Sequence, residues 1–95
     1  MNNIINDNLK DLISLWEDNK LSSLGTEEFD IDLIHAEVDR RISELSFLLE
    51  ENVGNEEYQF IKNRIINNAE MIIEDEEVMC QMEIKLEKIN KELKN

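Results

Sequence analysis

The sequence predicts an all-α fold: a three-helix bundle or helical hairpin with a long C-terminal coiled-coil-like helix. Three observations lead there. Proline is absent and the only glycines are Gly25 and Gly54, whereas a β-rich chain of this size needs many turn residues to reverse direction. Apolar residues recur at spacings of three and four, the period of an amphipathic helix. That spacing also runs from Tyr58 to Leu93, with Asn68 and Asp75 as its polar interruptions.

With 95 residues the chain reads as one helical domain, 1–95, that buries about two-thirds of its unfolded surface. The first helix spans about 3–24, with Ile5, Leu9, Leu12, Ile13 and Trp16 on one stripe, Leu21 and Leu24 extending it and Gly25 closing it. Phe29 to Leu33 alternates like a strand, but five residues without a partner strand do not make a sheet. The second helix is therefore expected over about 30–53, with Ile34, Val38, Ile42, Leu45, Leu49 and Val53 inward and Gly54 ending it. Asn55 is a good N-cap, and Glu56 and Glu57 suit the positive end of a helix dipole, so the third helix starts near residue 56. Aromatic residues are 5% of the chain, which makes Trp16, Phe29, Phe47, Tyr58 and Phe60 the expected bulky members of an aliphatic core.

The third helix, about 56–93, carries the clearest pattern. Tyr58, Ile61, Ile65, Ile72, Met79, Met82, Leu86, Ile89 and Leu93 follow a strict three-four alternation, interrupted by Asn68 and Asp75. This is the coiled-coil period. An uninterrupted helix would reach roughly 58 Å and the first two only roughly 30–35 Å, so its last turns need another partner. Met79, Met82, Leu86, Ile89 and Leu93 then form an oligomer seam, most simply for a homodimer or higher homo-oligomer. The competing arrangement breaks the helix at Glu74–Glu77 and folds 78–93 back as a fourth helix; no Gly, Pro or Asn marks that break.

The formal charge of −13 is unevenly spread. Residues 1–78 hold 20 acids and 6 bases, a net of −14, and residues 79–95 hold 3 acids and 4 bases, a net of +1. An anionic body repels nucleic acid and anionic membranes and is steered towards basic surfaces at low ionic strength. The lone Cys80 excludes an internal disulfide and a cysteine-based zinc site and fits a reducing compartment. With no signal peptide and no stretch of about 18 uncharged apolar residues, a cytoplasmic protein is expected.

Catalytic chemistry finds little support. Asp32, His35, Glu37 and Asp39 share a helical flank, but a helical carboxylate metal site draws on several helices and the chain has no second histidine. Glu70, Glu74, Asp75, Glu76 and Glu77 invite comparison with all-α nucleotide pyrophosphatases, but the second helix lacks a matching inward acid pair and no basic cluster awaits a triphosphate. Cys80 has no sequence-local activating cation, and no Gly-rich loop offers a phosphate cradle. No enzyme, cofactor or metal is expected.

The reading that remains is a small acidic non-catalytic binding protein. Its five clustered acids, Glu70 and Glu74 to Glu77, would contact a basic surface of a larger protein, of the kind that binds nucleic acid, and inhibit by occlusion. In its size and Asn- and Ile-rich composition the chain resembles compact accessory proteins of phages and other mobile elements. The alternative is a homo-oligomeric coiled-coil adaptor or scaffold.

Overall fold

The computed structural model describes residues 3–20, 31–51 and 55–93, and among them the chain is all-α with no strand. Four helices follow in order: α1 Asn3–Asn19, α2 Ile31–Glu51, α3 Asn55–Glu70 and α4 Glu76–Leu93. Leu21, Leu24 and the two glycines, expected to close the first two helices, lie outside the described residues.

The long third helix of the sequence reading is not present: the chain turns at 71–75 and α4 folds back. Two local devices make the break. At the end of α3 the amides of Met71 and Ile72 bond to the carbonyls of Asn68 and Ala69 at 3.2 and 3.1 Å, tightening the last turn into a stop. Asp75 then caps α4. Its Oδ1 accepts the backbone N–H of Glu77 at 3.0 Å and of Val78 at 3.4 Å, and its carbonyl accepts the first intrahelical bond, from Met79, at 3.1 Å. Glu76 and Glu77 in the first turn and Lys91 in the last complement the dipole of α4 at both ends. The apolar alternation survives the break because Ile72 and Ile73, in the turn itself, are buried.

Helix α1 packs along α4, α2 along α3, and α3 meets α4. Once α4 is a separate helix, its 18 residues match the 17 of α1, so one covers the other. Asp11 pairs with Lys85 at 3.2 Å, while Ser14, Leu15 and Asp18 share a groove with Gln81, so the two run antiparallel. One core runs through the molecule, from Ile5, Leu9, Leu12 and Trp16 of α1 to Met79, Met82, Leu86 and Ile89 of α4. Of the aromatic residues, Trp16 and Tyr58 are buried, Phe47 and Phe60 are exposed, and Phe29 lies outside the described residues. The Tyr58 hydroxyl donates to the Leu86 carbonyl, a contact between α3 and α4 inside the core, and burial raises its pKa, the nearby Glu87 charge adding to the effect.

Candidate partner-binding surface

The α3–α4 turn brings the predicted acids to one corner. Glu70 ends α3, Glu74 lies in the turn, Asp75 caps α4 and Glu76 and Glu77 open it. All five are exposed. Three have a structural role there, since Asp75 satisfies two amides and Glu76 and Glu77 sit at the positive end of α4. Glu70 is the reverse case, a negative charge at the negative end of α3, so helix electrostatics disfavour it.

Among the described residues no cation pairs with this corner. The nearest cations in sequence are committed elsewhere: Arg64 lies over the Phe60 ring at 5.7 Å and Lys85 bridges to Asp11 at 3.2 Å. Arg41 also covers Phe60, at 5.1 Å, and holds Glu37 at 2.9 Å and Glu44 at 2.8 Å. The hydrogen bond that Arg41 donates to Glu37 is the main reason both that the Glu37 carboxyl lies below the usual carboxylate range and that the Arg41 pKa is raised. Lys62 pairs with Glu87. Met71, half exposed, stands next to Glu70 at the same corner.

The predicted oligomer seam has a different environment from the one that suggested it. Met79, Met82, Leu86 and Ile89 are buried within a single chain and Leu93 packs against the same core, because α4 lies along α1. The length mismatch that called for a second copy disappears with the long helix.

Three of the four residues of the candidate metal flank are drawn into other contacts. Trp16 Nε1 donates to Asp39 Oδ1 at 2.7 Å, and the indole lies 5.0 Å from the His35 ring at a 57° tilt. Lys20 reaches Asp39 Oδ2 at 3.1 Å and Glu17 at 3.2 Å. Partial burial pulls the Lys20 ammonium down, and its two carboxylate partners more than offset this, so its pKa rises. Glu37 faces Arg40 and Arg41, and Asp32 is exposed in the first turn of α2. No three His, Cys, Asp or Glu side chains among the described residues converge on a common point that could hold an ion. Cys80 is exposed on α4. No described helix is long and apolar enough to cross a membrane.

Two features had no signal in the sequence. The Trp16–Asp39–Lys20 cluster joins residues up to 23 positions apart, and a groove runs along α4 between Cys80 and Lys91. No known protein family matches the chain, and no curated protein or solved structure is significantly similar to it.

Proposed function

We propose that this chain is a non-catalytic binding protein that uses the acidic corner of Glu70, Glu74, Asp75, Glu76 and Glu77 to occupy a basic surface of a larger protein. That surface is of the type that otherwise takes nucleic acid, and the effect is inhibition by occlusion, in the manner of phage or mobile-element accessory proteins. The observation that carries this reading is the corner's unmet charge: among the described residues no cation pairs with the exposed Glu70, Glu74, Glu76 and Glu77, while Arg64 and Lys85 are engaged elsewhere. Helix capping accounts for Asp75 and dipole complementarity for Glu76 and Glu77, but neither accounts for Glu70 or Glu74. A basic partner would neutralise all five and be steered to them from a distance. In this reading the protein acts in the cytoplasm, needs no cofactor and does not bind nucleic acid itself.

The alternative, a homo-oligomeric scaffold, needs a face other than the buried seam. The two are separated by affinity capture from host lysate at low and high salt, with the wild type and a Glu70→Gln/Glu74→Gln/Glu76→Gln/Glu77→Gln variant as baits. Asp75 is left in place so that α4 keeps its cap. A partner held by the wild type at low salt, released at high salt and lost by the variant supports occlusion, and that partner's own nucleic-acid binding should then fall as the protein is added. Equal capture by both baits would remove the corner from the account.

A further inference from the structure

One flank of α4, bordering the Met82 and Leu86 core stripe, carries a groove of about 550 Å³. Cys80 and Ile84 lie along it exposed, and on its wall Asn90 is only 6% exposed, with an Oδ1 that has no hydrogen-bond partner among the described residues. Glu83 and Glu87 line its N-terminal half, Lys88 and Lys91 its C-terminal half. We propose that this groove seats α4 of a second copy of the chain, antiparallel, about a twofold axis near residue 87.

Charge complementarity selects this occupant. A face that is acidic at one end and basic at the other is self-complementary under a twofold axis, so Glu83 of one copy meets Lys91 of the other, twice over, and Glu87, which also holds Lys62 of its own chain, faces Lys88. Elimination points to the same face. Residues 1–78 carry a net −14 and repel a like copy, whereas residues 79–95 carry a net +1, so a second copy approaches most easily here. Ile84 supplies the apolar side chain that enters the partner's groove, and the unsatisfied Asn90 acceptor marks a wall whose polar pairing is incomplete in one copy. In this arrangement the two Asp75 caps stand roughly 35 Å apart along the helices, so the acidic corners stay clear of each other. The inference is independent of what the acidic corner binds.

Sedimentation velocity of the full chain at ~10–500 µM tests it, the range in which a modest self-affinity is read. The wild type should form a reversible dimer. Lys88→Glu/Lys91→Glu and Glu83→Lys/Glu87→Lys should each be monomeric with wild-type helicity, because each makes the face single-signed, and an equal mixture of the two should restore a 1:1 dimer. If Glu87→Lys costs helicity through its lost Lys62 partner, Glu83→Lys alone takes its place in the mixture. A wild type that stays monomeric over this range overturns the proposal, as do variants that dimerise like the wild type. Orientation is read from the single cysteine: antiparallel seating leaves the two Cys80 residues ~20 Å apart, too far for the under ~7 Å that a disulfide needs. A disulfide-linked dimer formed rapidly under mild oxidation would overturn the antiparallel seat.

Discussion

Trp16 and Asp39 tie α1 to α2: the indole N–H donates to the carboxylate at 2.7 Å while the other carboxylate oxygen holds Lys20 at 3.1 Å. The indole body is fully buried, so most of its contribution is packing and the hydrogen bond fixes its orientation. Trp16→Ala should cost ~3–5 kcal/mol in chemical denaturation, and Asp39→Ala about 1 kcal/mol. As the only tryptophan, Trp16 reports directly on its burial. Native emission should be blue-shifted and poorly quenched; red-shifted, fully quenchable emission would contradict the packing.

Asp75 separates two accounts of the C-terminal half. As the N-cap of α4 it satisfies the amides of Glu77 and Val78, and its loss leaves them bare. Asp75→Ala should destabilise the fold by about 1 kcal/mol and Asp75→Ser much less, since serine caps nearly as well. In a continuous helix alanine at this position would stabilise instead, because it is the better helix former.

Leu86 and Ile89 are fully buried in a single chain. Leu86→Ala should cost ~2–5 kcal/mol, and aspartate at either position should unfold the chain, seen as lost helicity in circular dichroism. A folded, monomeric Leu86→Asp/Ile89→Asp variant would instead restore the seam to a second copy.

Tyr58 predicts the alkaline behaviour. Its pKa is raised in the folded state by burial, so the stability it contributes is complete below the unfolded value of 10.0 and is lost as pH rises through the folded value. As the only tyrosine, it can be followed by phenolate absorbance. Absorbance should stay flat past pH 10 and rise together with unfolding, and Tyr58→Phe should remove this part of the pH dependence. Titration near 10 in the folded protein would contradict the buried contact with Leu86.

The second helix was legible almost to its ends, and α3 begins at Asn55, because amphipathic period and capping are local properties. The break before α4 entered the sequence reading only as the competing arrangement, although Asp75-Glu76-Glu77 repeats the signature that marks α3 at Asn55-Glu56-Glu57. Ile72 and Met79 kept the three-four spacing across the turn, since both sides of it are buried, and an aspartate cap was outweighed by that continuity. At the candidate site, the exposure of the five acids could be read from the sequence. The commitment of Arg64 to Phe60 and of Lys85 to Asp11 could not, because packing between helices decides both.

The central claim, that the acidic corner recognises a basic partner, is tested most directly by the association rate constant of the captured partner as a function of ionic strength. The wild type is compared with the Glu70→Gln/Glu74→Gln/Glu76→Gln/Glu77→Gln variant. Electrostatic recognition predicts a wild-type rate that falls steeply with added salt and a variant that is slower at low salt, with dissociation changed less than association. An unchanged association rate for the variant at low salt would contradict the claim and leave the corner as a helix cap with solvated charges.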